Sequence, residues 1–354
     1  MKKNHKFFSN LAFNLAENNL GKTSINPSVG CIIVKNNSVV SSGVTSVNGR
    51  PHAEFNALNK KGNFRGSNMY VTLEPCAHYG VSPPCTNIIK KKKIKNVFYC
   101  FNDPDLRTNG LAKRILLQKK IKLKKIKSFR NSFYDSYFLN KNRGLPLLDA
   151  KLALSKDEYT INKKSKRITN NRSREVSHLI RSRYDSIIST SKTINKDNAL
   201  LNCRINGFNN YKPDLLVIDR NLKLKTNLRL FKIAKKRKTY IFTTSKNKKK
   251  IAFLKKKNCK VIRINQLDNK RDFLKLMNII FRLGKRRILV EAGLIFISKL
   301  LDLKLINLLF VFRSKKRLKK NGYNNMNLKI VKKCKFIKKI KVNLNEDELY
   351  TLKG

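Results

Sequence analysis

Strand-like apolar runs alternate with helical segments along this chain in two successive series. In the first series, Val29–Lys35 and Asn68–Leu73 have the composition of buried strands. After Gly144-Leu145-Pro146 the alternation restarts with Leu147–Leu154 and continues to Arg287–Glu291. Alternating strands and helices predict an α/β protein with parallel or mixed sheets. The break in the pattern predicts two domains, residues 1–143 and 144–354.

Length and composition support this division and exclude several other classes. The 354 residues suffice for two hydrophobic cores, and 41 % hydrophobic residues are too many for a disordered chain. Seven cysteines at irregular spacings do not form a disulfide framework, which favours a reducing compartment. The longest strongly apolar stretch, Leu305–Phe312, is too short to cross a bilayer. We therefore expect a cytoplasmic protein without a membrane partner.

The formal net charge of +60 raises nucleic acid as a partner. Most of the excess lies after residue 85 in short lysine runs such as Lys90–Lys93 and Lys315–Lys320, which fall near predicted turns and helix ends. Aromatic residues are not interleaved with these runs, as an RNA-stacking surface would require. Enrichment in Lys, Asn and Ile is typical of an AT-rich genome. We therefore do not expect nucleic acid to be the partner.

Four residues of the first domain form a pattern typical of a catalytic zinc site. His52, Cys76 and Cys85 supply three ligands and leave the fourth tetrahedral position open for water. Each ligand group follows a loop or a proline, and each is predicted to open a helix, so that the helix N-terminus would favour the Cys76 thiolate. Glu54 lies two residues from His52, where it can accept a proton from an activated water and later deliver it to a leaving amine. The H-x-E … P-C combination is the signature of zinc deaminases.

Two simpler interpretations compete with a catalytic zinc site. His52 could be an ordinary loop histidine and the cysteines small buried residues, as the other five cysteines are expected to be. A zinc-stabilised binding module without catalysis would use the same ligands, but it would not need the carboxylate of Glu54. A nucleic-acid base deaminase is a third alternative, and the large second domain argues against it.

The motifs around these residues resemble one family over essentially the whole chain. They are Asn26-Pro27-Ser28-Val29-Gly30-Cys31, His52-Ala53-Glu54, Glu74-Pro75-Cys76-Ala77-His78-Tyr79-Gly80 and Ser82-Pro83-Pro84-Cys85, with Asp103-Pro104 after them. Most zinc deaminases have two residues between their cysteines, whereas here eight separate Cys76 from Cys85. This spacing is similar to that of the bifunctional deaminase/reductase family of riboflavin biosynthesis.

The resemblance implies a cytidine-deaminase-like α/β/α domain that binds Zn²⁺ through His52, Cys76 and Cys85. It further implies deamination of 2,5-diamino-6-ribosylamino-4(3H)-pyrimidinone 5′-phosphate, with Glu54 as the catalytic proton shuttle. Asn26 can both donate and accept hydrogen bonds, which suits a contact to a pyrimidine edge, although a turn-forming role before Pro27 fits equally. His78 is expected either to contact the substrate or to brace the loop between the cysteines.

In the second domain, Ile288–Gly293 ends a buried strand in a glycine that opens a helix. Such a turn lets a phosphate approach a helix N-terminus, but most turns of this kind are only structural. The resemblance implies a dihydrofolate-reductase-like α/β domain that uses NADPH. Implied substrate contacts are Ser165, Arg181, Leu201, Arg204 and Glu291. Implied cofactor contacts are Lys151, Ser155, Asp157, Thr193, Asp197 and Gly293.

Several positions of the second domain depart from the family pattern. Glu158 replaces a glycine, Arg167 a tryptophan, Asn198-Ala199 an Asp-Pro pair and Arg220 a serine. An active bifunctional enzyme whose reductase domain has drifted is the preferred interpretation, and a deaminase with a degenerate reductase domain is the alternative. A homo-oligomer is compatible with the sequence, which does not determine the oligomeric state.

Overall fold

The computed structural model describes residues 4–128, 130–165, 167–207 and 212–354. The chain divides into two compact units, Met1–Gly144 and Leu145–Gly354. Within the described ranges, none of the helices combines the length and the apolar character needed to span a membrane.

The first unit contains a five-stranded sheet with the order β2-β1-β3-β4-β5. Strand β1 pairs antiparallel with both of its neighbours, whereas β3, β4 and β5 run parallel. Asn36 and Asn37 form the hairpin turn between β1 and β2, and both have positive φ values, which asparagine tolerates well. The strands are β1 Gly30–Lys35, β2 Ser38–Val44, β3 Asn68–Leu73, β4 Asn96–Phe101 and β5 Lys122–Lys125, and the helices are α1 His5–Asn18, α2 Ala53–Leu58, α3 Cys85–Lys91, α4 Leu111–Leu117 and α5 Asp135–Arg143.

A glycine on β2 determines how closely α2 approaches the sheet. A Cβ atom on Gly43 would lie 2.2 Å from the Ala53 carbonyl oxygen and 2.5 Å from the Ala57 backbone nitrogen. Any side chain at this position would therefore push α2 away from the strand. Because α2 begins directly after His52, this contact also fixes the position of a predicted metal ligand.

The aromatic residues in segment 128–142 of the sequence predict a linker helix at the domain junction. A helix does form there, but it begins only at Asp135, and its aromatic residues belong to the core of the first unit. Tyr134 stacks edge-on against Phe101, and its hydroxyl group lies 2.6 Å from that of Thr72. Phe129, part of the same prediction, lies outside the described residues.

The second unit contains a nine-stranded sheet with the order β11-β10-β9-β8-β12-β6-β13-β16-β15. The strands from β11 to β13 are parallel, and β16 and β15 extend the sheet antiparallel. A separate two-stranded ribbon joins β7 and β14. The strands are β6 Leu147–Leu154, β7 Ile161–Asn162, β8 Ser186–Thr190, β9 Asp214–Ile218, β10 Thr239–Thr243, β11 Cys259–Arg263, β12 Arg287–Val290, β13 Leu308–Arg313, β14 Gly322–Tyr323, β15 Lys335–Lys339 and β16 Glu348–Lys353, and the helices are α6 Asn171–Ser182, α7 Ser191–Asp197, α8 Leu230–Ile233, α9 Lys248–Lys256, α10 Lys270–Arg282, α11 Leu294–Asp302 and α12 Lys329–Lys332.

Central strands β8, β12 and β6 are buried and mostly apolar, as strands covered on both faces must be. Strand β12 ends at Val290 and is followed by Glu291, while Gly293 caps helix α11. In open parallel sheets, ligands bind beyond the carboxyl ends of the strands. Glu291 and Gly293 therefore lie at the edge where a ligand site is expected.

Candidate active sites

The three predicted metal ligands come together in the first unit. His52 caps the N-terminus of α2, Cys85 is the first residue of α3, and Cys76 lies in the irregular segment after β3. The Nδ1 atom of His52 is 3.6 Å from the Cys76 Sγ and 3.5 Å from the Cys85 Sγ. All three ligand atoms lie within 4.8 Å of one another. They form a compact NS₂ cluster.

The cluster has the dimensions that zinc requires. In a tetrahedral site with Zn–S bonds of about 2.3 Å and Zn–N bonds of about 2.0 Å, a sulfur and a nitrogen ligand lie about 3.5 Å apart. The two measured S···N distances, 3.6 Å and 3.5 Å, match this value. Three protein ligands also leave one coordination position for water, as catalytic zinc sites do.

The prediction that Cys76 opens a helix is wrong. Cys76 lies in a segment without regular structure, and the next helix begins only at Cys85, because Pro83 and Pro84 disfavour helix for the residues immediately before them. A helix N-terminus nevertheless contacts Cys76, because the backbone N–H of Cys85, the first residue of α3, donates a hydrogen bond to the Cys76 Sγ over 3.1 Å. Hydrogen bonds from Cys85 and His52 lower the pKa of the Cys76 thiol to about 4.

Glu54 lies in the first turn of α2, directly beside the cluster. Its side chain is buried and within hydrogen-bonding reach of the Cys85 thiol. Burial, and then the negative charge of Cys76, raise the pKa of the Glu54 carboxyl to about 7. A carboxyl group with such a pKa can take up and release a proton near neutral pH.

Asn26 and His78 are held by contacts within the first unit. The Asn26 amide donates to the Gly49 carbonyl oxygen over 2.9 Å, in the loop that leads to His52. The Nδ1 atom of His78 lies 2.9 Å from the hydroxyl oxygen of buried Thr108. Each residue therefore supports a loop of the site. The predicted contacts of Asn26 and His78 with a substrate stay predictions.

Sequence reasoning missed a buried carboxyl group that organises the same loops. Glu74 directly follows β3 and accepts hydrogen bonds from the backbone N–H groups of Asp103 and Gly110, at 3.4 Å and 3.0 Å. Burial raises its pKa. These bonds fix the segment that carries Thr108, the partner of His78. The available signal was the position of Glu74 within the cysteine motif.

In the second unit, a cavity of about 1070 Å³ opens at the carboxyl ends of the parallel strands. Nine of the eleven residues predicted to bind substrate or cofactor there line it. These are Lys151, Ser165, Arg181, Thr193, Asp197, Leu201, Arg204, Glu291 and Gly293.

The two remaining predicted residues, Ser155 and Asp157, are not among those that line this cavity. The Ser155 hydroxyl donates to Asp157, and the Asp157 carboxylate accepts the backbone N–H groups of Leu318 and Lys319. Their contacts therefore join the turn after β6 to the segment around residue 318.

A buried ion-pair network forms one wall of the cavity. The Glu291 carboxylate pairs with the Arg181 guanidinium through two bonds of 2.5 Å and 2.9 Å, and with the Lys151 ammonium at 3.2 Å. Although burial opposes ionisation, Arg181 and Lys151 hold the pKa of the Glu291 carboxyl well below its usual range. Glu291 is therefore a fixed anion that orients two cations toward the cavity.

His178 is a second buried residue that sequence reasoning did not assign to the site. Its Nδ1 atom lies 3.0 Å from the Asn202 carbonyl oxygen, and its Nε2 atom lies 3.3 Å from a guanidinium nitrogen of Arg204. Burial, followed by the charges of Arg181 and Arg204, lowers the pKa of His178 to about 4. A neutral His178 has one ring N–H and one acceptor nitrogen, and its Nδ1 atom also lies 3.2 Å from the backbone N–H donor of Arg204. Its position on the helix face of Arg181, three residues earlier, was the available signal.

Two further features of the cavity lining are a strained residue and a helix start. Leu201 is buried with a φ of 50°, in the left-handed region that costs a non-glycine residue about 1–2 kcal/mol. The backbone N–H of Gly293 donates to the Thr193 hydroxyl over 3.0 Å, which joins the start of α11 to α7.

The positions that depart from the family pattern differ in their surroundings. Arg167, Ala199 and Arg220 line the cavity, and Arg220 lies 3.6 Å from the Asp268 carboxylate on the surface. Glu158 has a φ of 63°, a conformation that favours the glycine it replaces.

Comparison with known proteins gives independent evidence about both units. Residues 2–101 match the cytidine and deoxycytidylate deaminase zinc-binding region, and residues 148–314 match the RibD C-terminal domain. The riboflavin biosynthesis protein RibD of Buchnera aphidicola subsp. Baizongia pistaciae is 32 % identical over 321 residues, which cover 86 % of each chain. A diaminohydroxyphosphoribosylamino-pyrimidine deaminase of Buchnera aphidicola subsp. Schizaphis graminum is 39 % identical over 144 residues, covering 40 % of this chain and 98 % of that protein.

Solved structures agree with the fold. RibD of Acinetobacter baumannii, at 24 % identity, superposes with a TM-score of 0.83 over 99 % of this chain and 98 % of its own. A diaminohydroxyphosphoribosylaminopyrimidine deaminase/5-amino-6-(5-phosphoribosylamino)uracil reductase from Thermotoga maritima, at 23 % identity, gives 0.83 with the same coverage.

A zinc-binding deaminase domain and a reductase domain in one chain define a bifunctional deaminase/reductase. The likeness to a curated relative extends over most of both chains. The chain therefore belongs to the RibD family of riboflavin biosynthesis. The predicted family, the bifunctional enzyme class and the fold class, a deaminase-like domain followed by a dihydrofolate-reductase-like domain, are confirmed.

Proposed function

We propose that residues 1–143 deaminate 2,5-diamino-6-ribosylamino-4(3H)-pyrimidinone 5′-phosphate and that residues 144–354 then reduce the ribosyl group with NADPH. The observation that supports the first step most strongly is the NS₂ cluster of His52, Cys76 and Cys85 beside the buried carboxyl of Glu54. A structural zinc site would use a fourth protein ligand and would have no need of this carboxyl group.

In the proposed deamination, the residues of the chain position water and move protons. Zn²⁺ held by His52, Cys76 and Cys85 would supply a Lewis acid that lowers the pKa of water. Glu54 accepts one proton from the water molecule and delivers it to the amino group that leaves the pyrimidine ring as ammonia. Asn26 and His78 are proposed to contact the substrate from the two loops that they support.

The proposed reduction uses the cavity of the second domain. Glu291, Arg181 and Lys151 provide charges of both signs, and the proposed substrate contacts are Ser165, Arg181, Leu201, Arg204 and Glu291. Guanidinium groups bind phosphate in a bidentate manner, which suits Arg204 to the ribose phosphate, while Arg181, whose Nε and Nη2 groups already pair with Glu291, adds positive charge at the cavity wall.

The same cavity offers features that fit a dinucleotide phosphate cofactor. Gly293 has no side chain, and the cavity exposes it at the N-terminus of α11, where backbone N–H groups favour anions. NADPH bound there would supply the hydride that converts the ribosyl to the ribityl group. The proposed cofactor contacts are Lys151, Thr193, Asp197 and Gly293, together with Ser155 and Asp157, which support the turn after β6.

The alternative within the family is a deaminase whose reductase domain has degenerated. The replacements at Glu158, Arg167, Ala199 and Arg220 motivate it, whereas the intact ion-pair network around Glu291 favours an active reductase. A cytoplasmic location and a possible homo-oligomer remain predictions, and neither nucleic acid nor a membrane is part of the proposal.

One assay separates these alternatives. Purified, zinc-replete protein is mixed with the diaminopyrimidine ribosyl phosphate, and ammonia release and NADPH oxidation are recorded in the same cuvette. Ammonia release followed by NADPH oxidation is the expected result. Ammonia without NADPH oxidation would identify a degenerate reductase domain. If neither signal appears, the proposed pathway step is wrong, and base conversion in RNA becomes the next reaction to test.

A further inference from the structure

Arg50 lies immediately before the Pro51-His52 step that leads into the metal cluster, and it faces the loop between the two cysteines. One guanidinium nitrogen, Nη1, donates a short hydrogen bond to the Ser82 hydroxyl. The other terminal nitrogen, Nη2, lies 3.8 Å from the position that a Cβ atom on Gly80 would occupy. The guanidinium is thus held by one edge, while the other edge faces the space that Gly80 leaves open.

His78 approaches the same space from the other side. Its Nε2 atom lies 3.9 Å from the same Cβ position on Gly80, and its Nδ1 atom lies 2.9 Å from the Thr108 hydroxyl oxygen. Tyr79 and Val81, the neighbours of Gly80, are 75 % and 88 % exposed, so this space opens to solvent. Two nitrogen groups that can donate hydrogen bonds therefore converge on an accessible gap without a side chain.

The guanidinium of Arg50 has no ion-pair partner in the part of the chain that the structure describes. Among the described residues, no carboxylate oxygen lies within 4.0 Å of its guanidinium nitrogens. Arg107 of the same domain, by contrast, pairs with Asp105 at 2.7 Å. A half-buried guanidinium that is fixed by a hydroxyl and faces an open gap is suited to bind an anion.

We propose that Arg50 and His78 form a phosphate-binding subsite of the deaminase domain, which holds the 5′-phosphate of the pyrimidine substrate. The inference rests on the proposed function, since it assigns a place to one group of the proposed substrate. A phosphate monoester accepts hydrogen bonds from Arg50 Nη2 and from a His78 Nε2–H, and its negative charge replaces the counterion that Arg50 lacks.

The test compares Arg50→Gln with Arg65→Gln, which removes the same charge from an exposed loop of the same domain. Ammonia release is measured with the phosphorylated substrate and with its dephosphorylated nucleoside. For Arg50→Gln we expect KM for the phosphorylated substrate to rise at least about 10-fold, as loss of a charged hydrogen bond implies. The kcat value, the zinc content and the KM for the nucleoside should not change. Arg65→Gln should behave like the wild type.

A second variant separates phosphate binding from a purely structural role of Arg50. Ser82→Ala removes the hydroxyl that holds the guanidinium but keeps its charge, so its effect on KM should be clearly smaller than that of Arg50→Gln. Equal effects of the two variants, loss of zinc from Arg50→Gln, or the same rise in KM for both substrates would overturn the subsite.

Direct binding keeps this test independent of turnover. Ribose 5-phosphate is titrated calorimetrically into the wild type and both arginine variants, and only Arg50→Gln should lose a binding site. If wild-type protein releases no ammonia, the proposed deamination fails, while this titration still decides whether Arg50 binds phosphate. Unchanged binding in Arg50→Gln would overturn the subsite even in an active enzyme.

Discussion

The pKa values of two buried glutamates are shifted in opposite directions by their surroundings. Glu54 lies beside the Cys76 thiolate, and burial together with that charge raises its pKa to about 7. Glu291 lies between Arg181 and Lys151, which hold its pKa well below the usual range. The first carboxyl group can exchange a proton near neutral pH, whereas the second stays ionised and positions cations. Residue type alone would not distinguish them.

Replacement of Glu54 tests its proposed role as a proton shuttle. Glu54→Gln keeps the size of the side chain and leaves the three ligands in place, so the protein should bind one zinc ion as before. Loss of the proton carrier should lower the rate of ammonia release by about 10³-fold, within the range that general acid–base catalysis contributes. Zinc content by atomic absorption and ammonia release check this prediction.

The exposed Glu175 provides the matched control. Glu175→Gln makes the same chemical change on the surface of the second domain, outside the metal cluster. A Glu54→Gln protein that lost its zinc would indicate a structural role for the carboxyl group.

At the residue scale, the sequence predicted what is local and missed what the fold brings together. His52, Glu54, Cys76 and Cys85 lie in short motifs whose chemistry is recognisable without a structure. The contact between Glu74 and the N–H of Gly110, in contrast, spans 36 residues. The interaction of His178 with Arg204 likewise depends on how α6 faces a loop, which periodicity does not specify.

At the element scale, buried strands were predicted well, whereas two exposed, lysine-rich strands were missed. Asn68–Leu73 and Leu147–Leu154 have the predicted bounds because continuous apolar runs mark strands buried on both faces. Lys122–Lys125 and Lys335–Lys339 were not predicted, since lysine-rich edge strands lack this pattern.

The turn between β6 and β7 contains a strained residue whose replacement should stabilise the second domain. Glu158 has a φ of 63°, and Glu158→Gly would relieve a conformation that favours glycine. Its ion pair with Lys332 is exposed and therefore contributes little. We expect a gain of roughly 1 kcal/mol in the free energy of unfolding, measured by urea denaturation followed by circular dichroism.

Glu158→Ala serves as the control for this change, because it removes the same ion pair but keeps a side chain at positive φ. If the alanine variant is as stable as the glycine variant, strain at residue 158 is not the cause.

The start of α11 offers a test of the proposed cofactor site. A Cβ atom at Gly293 would lie 3.7 Å from the Thr193 hydroxyl oxygen, an ordinary contact, so Gly293→Ala should fold and bind NADPH almost normally. Gly293→Asp adds a negative charge where the cofactor phosphate is proposed to bind. We expect its dissociation constant for NADPH, measured by nucleotide fluorescence, to rise at least about 10-fold relative to Gly293→Ala. Equal affinities of the two variants would argue against a phosphate at this helix terminus.

At the scale of the whole molecule, the two domains carry separate cores and separate sites. The NS₂ cluster and Glu54 belong to the first unit, whereas the ion-pair network around Glu291 belongs to the second. The break at Gly144-Leu145-Pro146 was visible in the sequence because turn-forming residues separate two series of strands and helices. The order of the nine strands was not, since their pairing depends on contacts between distant residues.

This separation predicts that residues 1–144 fold and act without the reductase domain. They contain a complete five-stranded sheet with its own hydrophobic core, and a separate relative of similar length exists as a deaminase in its own right. The fragment should bind one zinc ion, unfold cooperatively and release ammonia with a kcat within about threefold of the full-length value, because the proposed catalytic groups all lie within it. Glu54→Gln in the fragment controls for contaminating deaminases. A fragment that folds and binds zinc but releases no ammonia would mean that the second domain contributes to the deaminase site.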